Sequence, residues 1–516
     1  MAPSDPGARP FKEHEDDPID TTHPPGGSRQ HVLSRIVDRT GKRPATPARK
    51  HVHAFTDDAL GDHDAVGLVE EINAGRVSRS EVVDAAIARV EQVDPILAAV
   101  AAERFELARK ESIAPASGYF SGIPGFVKDN SDVAGLPSQH GSRAFTSAPK
   151  QADGDYAAAF KGAGITVLGK TRLSEYGFSA SAEFVDEEDV HNAWSTAHSS
   201  GASSAGSAVL VASGAVPLSH ANDGGGSIRI PAACNGLVGF KPSRGRTPQD
   251  KMLREMPVQI VSDGVVTRSV RDTAAYLREI ERRYRPHRLA PIGDVTGPSK
   301  KRLRIGLLTD SIERDSDQEI RDAVRNTGHL LESMGHTVEE VVPFVPGTFQ
   351  EDFLTYWALM ALAIEVNGKR SMGAPFDKTQ DSTLTRGLAK RAQKNLARLP
   401  VVIARLKASR FGSAQFFRQY DAVLSPTLAH VTPELGWLNP AQDYETVIDK
   451  LMDWVAFTPL ANATGDPAVS LPLATDKRGL PIGLMLSGGR GGERTLLELS
   501  YELEEARPFR RIQDQI

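Results

Sequence analysis

The chain has 516 residues, enough to bury a large core, and its 40% hydrophobic and 25% charged residues are ordinary for a soluble globular protein. The formal net charge of −5 leaves no basic footprint for a nucleic acid, and the single cysteine, Cys234, excludes an intrachain disulfide framework and a thiolate metal cluster. The longest apolar runs, such as PILAAVAA, fall far short of the roughly 18 residues that a membrane span needs, so no membrane partner is expected.

The first 53 residues are predicted to form a disordered tail. They are rich in proline, glycine and mixed charge, and they contain too few apolar residues to offset the entropy of ordering. They also contain no hydrophobic segment of the kind that a secretory signal carries. We therefore expect a cytoplasmic protein whose folded region begins near residue 54.

Helical and strand patterns alternate from there to about residue 223. The segment 62–75 has apolar residues on one helical face and ends on glycine, and Ser78 with Glu81 forms the pattern of a capping box at the start of a second helix. A buried strand is predicted in GIPGFVKDN, and a helix followed by a strand in DYAAAFKGAGITVLGK. A small-residue helix in AGSAVLVASG and a strand in AVPLSHAND come next.

The second half of the chain continues this alternation after a region of weak signals at 250–300. Strands are predicted at 303–310, in YDAVLSPTL and in GLPIGLMLSG, and helices at 317–335 and in ERTLLELSYELEEA. Residues 350–420 are predicted to be mostly helical. Helices that alternate with short buried strands indicate an α/β protein whose sheet is covered by helices on both faces.

A stretch rich in serine and glycine, residues 199–232, stands in the middle of this order. Three consecutive glycines precede Ser227, and such glycines let the backbone direct several N–H groups into one space, where they can stabilise an oxyanion. A serine there is a candidate nucleophile if a base is near. No histidine stands in a local sequence motif typical of a catalytic base, and no G-x-S-x-G nucleophile elbow occurs. Lys128, which ends an apolar strand, is the candidate base. Taken singly, Ser227 is more often a helix N-cap and Lys128 a solvated strand end.

The segment GASSAGSAVLVASGAVPLSHANDGGGSIRIPAACNGLVGFKPSRGR resembles the signature region of the amidase signature family. FVKDN matches the base motif of that family, and GKT and the run between residues 464 and 486 also fit. The resemblance extends over roughly residues 60–510 and is densest at 120–245. It implies the family fold, with a large mixed central β-sheet covered by helices, in a catalytic domain of residues 54–516. The variable, mostly helical region at 250–430 would line the substrate pocket.

Matched residue by residue, the resemblance implies a serine–serine–lysine triad. Ser227 would be the nucleophile, Ser203 the bridging serine after a cis peptide bond, and Lys128 the base. The residues whose backbone N–H groups would form the oxyanion hole are Gly224, Gly225, Gly226 and Ser227. The residues that would support the site are Ser204, Asp223 and Arg229. The family needs neither a metal nor an organic cofactor for this chemistry.

The resemblance implies an amidohydrolase that cleaves the C–N bond of a small-molecule carboxylic amide through a serine acyl-enzyme. Three alternatives share the fold: a glutamine-hydrolysing subunit of the amidotransferase type that acts with partner subunits, a carbamate or ester hydrolase, and a non-catalytic binding protein. Since dimers are common in the family, the resemblance also allows a homodimer. The sequence departs from the family pattern at Ala202, Ala205, Gly224 and Arg172, none of which replaces a triad side chain.

Overall fold

The computed structural model describes residues 51–114, 117–312, 314–372 and 376–514. Within these ranges the strands are β1 Val100–Glu103, β2 Pro124–Lys128, β3 Thr166–Thr171, β4 His191–Asn192, β5 Ser195–Ser199, β6 Leu218–Asp223, β7 Val238–Lys241, β8 Ser262–Thr267, β9 Arg304–Leu307, β10 Thr337–Glu340, β11 Ala422–Pro426, β12 Ala468–Thr475 and β13 Pro481–Ser487. The α-helices are α1 Ala65–Asn73, α2 Arg79–Leu97, α3 Phe105–Ile113, α4 Asp155–Gly162, α5 Ala205–Ala212, α6 Arg229–Asn235, α7 Lys251–Arg254, α8 Val270–Arg283, α9 Gln318–Ser333, α10 Phe349–Ser371, α11 Thr383–Lys394, α12 Leu399–Phe416, α13 Tyr444–Trp454, α14 Pro459–Thr464 and α15 Glu493–Ala506.

The largest sheet has eight strands in the order β10-β9-β11-β13-β12-β7-β8-β6. β9 pairs in parallel with β10 and β11, whereas every pair from β11 through to β6 is antiparallel, so the sheet is mixed. Helices α5, α6, α8, α9 and α15 pack against its strands. This arrangement confirms the predicted α/β fold with a large mixed sheet.

A second, three-stranded sheet in the order β1-β3-β2 contains the strand that ends at Lys128. β2 lies parallel to β3, and all of its residues are buried. It also packs beside β6 at the edge of the large sheet, where side chains make the connection. Ser219 Oγ donates to the Phe126 carbonyl, and His220 Nδ1 accepts from the Lys128 N–H. The sequence indicated one large sheet, and it is this lateral packing that brings a second sheet to the site.

The first two helices follow from local sequence. α1 begins after Asp64, whose side chain accepts the Gly67 N–H. α2 begins after Ser78, and both hydrogen bonds of the predicted capping box with Glu81 are present. None of the helices in the described ranges is both long and apolar enough to cross a membrane.

Strand β8 lies in the region where the sequence signals were weak. It is inserted between β7 and β6, and all six of its residues are buried. Its sequence, SDGVVT, offers neither an apolar run nor an alternating pattern, because polar residues of this strand are themselves buried at the site. The region 250–430, expected to be mostly helical, supplies the four strands β8 to β11 to the large sheet, and β9 and β11 among them were predicted from the sequence.

Of the predicted disordered tail, residues 1–53, residues 1–50 lie outside the described residues. Residues 51–53 are part of the fold, because Val52 is buried and its N–H donates to the Ala193 carbonyl at 2.9 Å. The folded region therefore includes residue 51, slightly before the predicted boundary.

Candidate active site

Lys128, at the end of β2, is completely buried. Its Nζ lies 2.7 Å from Ser203 Oγ and 2.7 Å from Asn222 Oδ1. Burial lowers the pKa of Lys128 to about 7, although the charges of Asp263 and Asp223 oppose this shift. A substantial fraction of the amine is therefore neutral near pH 7, as a general base requires. The structure rules out the simpler interpretation of Lys128 as a solvated strand end.

His220 on β6 holds the carboxyl end of β2. Its Nδ1 accepts the backbone N–H of Lys128 at 3.2 Å, which assigns the ring proton to Nε2, 3.2 Å from Asp263 Oδ1. Burial lowers the pKa of His220, against the effect of Asp263, and so favours the neutral ring. His220 thus fixes the Lys128 backbone without adding a second cation beside its amine.

Ser203 and Ser204 lie in the turn that precedes α5. The Ala202–Ser203 peptide bond is cis, as the resemblance implied. A Cβ on Gly177 would lie 3.1 Å from Ser203 Oγ, so glycine at this position keeps the space beside the hydroxyl open. Ser204 Oγ donates to the Asn222 carbonyl at 3.3 Å and thereby ties this turn to β6.

The glycine loop, residues 224–227, joins the end of β6 to the start of α6. Ser227 is 7% exposed, and its hydroxyl makes no hydrogen bond to the residues that the structure describes, Ser203 included. The N-cap position of α6 is occupied by Ile228, without a side-chain hydrogen bond. Ser227 is therefore not the helix N-cap that its position before α6 suggested.

The N–H groups of the glycine loop fall into two sets. Gly226 donates its N–H to Asp223 Oδ1 at 2.7 Å, so in this structure that group is not available to an oxyanion, in contrast to the expectation. The N–H groups of Gly224, Gly225 and Ser227 have no hydrogen-bond acceptor within the described ranges. Gly226 has a φ of +138°, and a side chain there would overlap its neighbours.

A completely buried ion pair anchors this loop. Asp223 accepts from Arg229 Nε at 2.8 Å and Nη2 at 2.9 Å, and the carboxylate also accepts from Asn462 Nδ2 at 2.9 Å. Burial raises the pKa of Asp223, but the charge and hydrogen bonds of Arg229 outweigh this effect and bring the pKa to about 2. The carboxylate is consequently ionised at neutral pH and is able to hold the Gly226 N–H.

Aromatic side chains, which we call the aromatic wall, lie against the glycine loop. A Cβ on Gly224 would be 3.3 Å from the Trp357 ring, and one on Gly225 would be 3.7 Å from Phe353. Phe178 meets Trp357 edge to face with ring centroids 5.7 Å apart. The Trp357 ring leaves little room for a side chain at position 224, one of the positions at which the sequence departs from the family pattern. Because Trp357 and Phe353 belong to α10, the variable region does reach the site.

Three asparagines of the site were not singled out from the sequence. Asn222 directly precedes Asp223, and Asn130 ends the FVKDN motif, so both stood within segments already identified. Asn462 belongs to an N-A-T sequon, but its side chain is buried and bonds to Asp223 and Arg229. What distinguishes these asparagines is that they are polar residues buried near a motif. The sequence does not reveal burial, so they could not be identified from it.

Comparison with known proteins identifies the relatives of this chain. The family model described as Amidase matches residues 81–497. A protein named "Putative amidase AmiC" from Mycobacterium leprae is 52% identical over 465 residues, which cover 90% of this chain and 99% of that protein. A 6-aminohexanoate-cyclic-dimer hydrolase from Paenarthrobacter ureafaciens is 32% identical over 472 residues, covering 86% of this chain and 95% of the hydrolase.

Solved structures agree on the fold. The structure of a 6-aminohexanoate cyclic dimer hydrolase superimposes with a TM-score of 0.80 and 29% identity, over 89% of this chain and 99% of that chain. A bacterial aryl acylamidase of the amidase signature family superimposes with a TM-score of 0.78 and 26% identity, over 88% and 98% of the two chains. The chain belongs to the amidase signature family. It is a hydrolase of carbon–nitrogen bonds other than peptide bonds, and it cleaves amides.

Proposed function

We propose that this amide hydrolase works through a triad of Ser227, Ser203 and Lys128. The observation that supports the proposal is the 2.7 Å contact between the buried Lys128 amine and Ser203 Oγ, together with the lowered pKa of that amine. A serine hydroxyl is a weak nucleophile unless a base removes its proton, and a neutral lysine can serve as that base.

The proposed reaction has two stages. Neutral Lys128 accepts the proton of Ser203, Ser203 accepts the proton of Ser227, and Ser227 Oγ bonds to the amide carbonyl carbon. The C–N bond then breaks, and the amine leaves with a proton returned from Lys128 through Ser203. Water attacks the acyl-enzyme by the same relay and releases the carboxylate. The relay requires the two serine hydroxyls to approach within hydrogen-bonding distance when substrate binds, a contact that often forms only in the complex.

The proposed oxyanion hole consists of the N–H groups of Gly224, Gly225 and Ser227. Their lack of acceptors within the described residues supports this role. We leave Gly226 out, since Asp223 holds its N–H. One such donor contributes roughly 3–4 kcal/mol to the stabilisation of the transition state. Asp223 and Arg229 would then act by holding the shape of the loop, and Ser204 by tying Ser203 to β6.

An alkyl fluorophosphonate tests the nucleophile directly. We expect it to label Ser227, as read by peptide mass spectrometry, and we expect Ser227→Ala to abolish both labelling and amide hydrolysis. A matched control is Ser213→Ala, because Ser213 is also buried but its hydroxyl only caps α5 through the Leu210 carbonyl. Failure to label Ser227 would contradict its assignment as the nucleophile.

The purified chain, without any partner, is expected to hydrolyse simple aliphatic or aryl amides. Activity limited to glutamine and dependent on added subunits would favour the amidotransferase alternative. The remaining alternative is a carbamate or ester hydrolase. Because all three substrates would use the same triad, a panel that includes a carbamate and an ester as well as amides separates it by the relative rates.

The rate is expected to rise with pH. Lys128 acts as a base only when neutral, and its pKa is lowered to about 7, so kcat/KM should fall about tenfold per unit below pH 7 and level off above pH 8. The measurement is a kcat/KM profile from pH 5 to 9 on one amide. A profile that is flat over this range would contradict the assignment of Lys128 as the base.

A further inference from the structure

We propose that Asn222 is a positioning residue for the base: its side-chain oxygen holds one N–H of Lys128 so that the amine lone pair is directed at Ser203. The inference rests on the proposed function, since it concerns how Lys128 accepts a proton. Asn222 belongs to β6 and precedes Asp223, the last residue of that strand. It is not part of the proposed relay.

The valence of the amine limits how Lys128 can bond to its neighbours. A neutral lysine amine has two N–H bonds and one lone pair in a tetrahedral arrangement, and rotation about the Cε–Nζ bond exchanges their directions. Within the described residues, Nζ makes two hydrogen-bond contacts, with Ser203 Oγ and Asn222 Oδ1, each at 2.7 Å. A carboxamide oxygen only accepts, whereas a hydroxyl can donate or accept. The contact with Asn222 therefore consumes an N–H, and a lone pair turned toward Asn222 would be repelled.

Asn130 fixes which end of the Asn222 carboxamide faces the amine. Asn222 Nδ2 donates to Asn130 Oδ1 at 2.9 Å, and Asn130 Nδ2 donates back to Asn222 Oδ1 at 3.3 Å. If the Asn222 carboxamide were reversed, its NH2 group would face the amine and its oxygen would face the Asn130 oxygen. The hydrogen bonds with Asn130 would be lost, so the reciprocal pair, with Asn130 in the orientation seen here, keeps an acceptor in front of Lys128.

Asn222 also connects the parts of the site through its backbone. Its carbonyl accepts from Ser204 Oγ, and Ser204 follows Ser203 directly. The residue after Asn222 is Asp223, which holds the glycine loop. Asn222 thus links the base, the turn of the bridging serine and the loop.

The neutrality of Asn222 matters as much as its oxygen. The charged or titratable groups that interact with Lys128 are Asp263, Asp223, His220 and His140. The two aspartates already favour the ammonium form, and burial outweighs them. A carboxylate in place of the Asn222 carboxamide would accept the same N–H but would add a negative charge 2.7 Å from Nζ. It would hold the proton on the base.

The role of Asn222 can be tested without the natural substrate. The second-order rate constant for inactivation by an alkyl fluorophosphonate is measured from pH 5.5 to 10 for the wild type, Asn222→Asp, Asn222→Leu and Asn130→Asp. Circular dichroism at each pH verifies that the variants are folded. For Asn222→Asp we expect the midpoint of the rise to move upward by at least one pH unit, a loss of tenfold or more at pH 7 and recovery of most of the rate above pH 9.

The other variants separate positioning from charge. Asn222→Leu removes the acceptor without adding charge, and we expect at least a tenfold loss across the whole pH range without an upward shift of the midpoint. Asn130→Asp introduces the same charge one side chain further from Nζ, and we expect less than half the shift of Asn222→Asp.

The inference fails if Asn222→Asp loses rate equally at every pH with an unmoved midpoint, or if Asn222→Leu reacts like the wild type. These results differ from a failure of the proposed function, in which the wild-type profile would itself be flat or Ser227 would remain unlabelled. A wild-type rise near pH 7 that Asn222→Asp does not move would leave the triad intact and remove only the role of Asn222.

Discussion

Replacing Lys128 by methionine is expected to reduce kcat by at least about 10⁴-fold, the scale seen when a member of a coupled catalytic unit is removed. Methionine preserves most of the volume of the buried side chain but has no basic atom, so Ser203 would keep its proton and Ser227 would not be activated. Lys128→Ala should lose activity to the same extent, with a greater loss of stability because it also leaves a cavity. Both losses would be measured as kcat on an amide of the panel, with thermal unfolding recorded alongside.

Lys241→Met is the matched control for this variant. Lys241 is also completely buried, and burial likewise lowers its pKa to about 7, but its amine donates to the Pro242 carbonyl and makes no hydrogen bond to a serine among the described residues. We expect this variant to keep kcat within tenfold of the wild type. Near wild-type turnover in Lys128→Met, or an equal loss in Lys241→Met, would end the assignment of Lys128 as the base.

Replacing Arg229 by methionine is expected to lower the free energy of unfolding by about 3–5 kcal/mol, because it leaves the buried Asp223 carboxylate without its counter-ion. Arg229 is fully buried and donates to Asp223 and to Asn462 Oδ1. The loss would be measured by urea denaturation. Amide hydrolysis should fall as well, since Asp223 holds the Gly226 N–H and with it the glycine loop.

The double variant Arg229→Met with Asp223→Asn tests the reason for this loss. Removing both charges should be less damaging than removing Arg229 alone, since no unpaired carboxylate remains.

The contribution of Asp223 to the free energy of unfolding depends on pH with a defined sign. Asp223 has a pKa of about 2 in the folded state, below its ordinary value of 3.8, so its ionised form adds stability above about pH 4 that is lost as the pH falls toward 2. In Arg229→Met this acid-dependent contribution should disappear. If Arg229→Met were as stable as the wild type at pH 7, the stabilising role of the Asp223–Arg229 ion pair would be contradicted.

Much of the fold could be predicted from local patterns. The capping box at Ser78 and Glu81 and the apolar periodicity around α1 depend on residues three or four apart, so the sequence displays them directly. β8 escaped prediction because its residues are buried while several are polar, which gives no periodic signal. The division into two sheets also escaped, because the contact between β2 and β6 depends on side chains far apart in the chain.

The sequence by itself determined the α/β class and the family, and it identified Lys128, Ser203 and Ser227 as candidate site residues, because the motifs around them stand in recognisable local frames. Only the tertiary structure decided that Lys128 is buried, which is what lowers its pKa. It also decided that Asn222 faces the amine and that Gly226 turns its N–H to Asp223. Burial and hydrogen-bond direction depend on residues that are distant in the chain, and a side chain's neighbours across the fold leave no mark on its own local sequence.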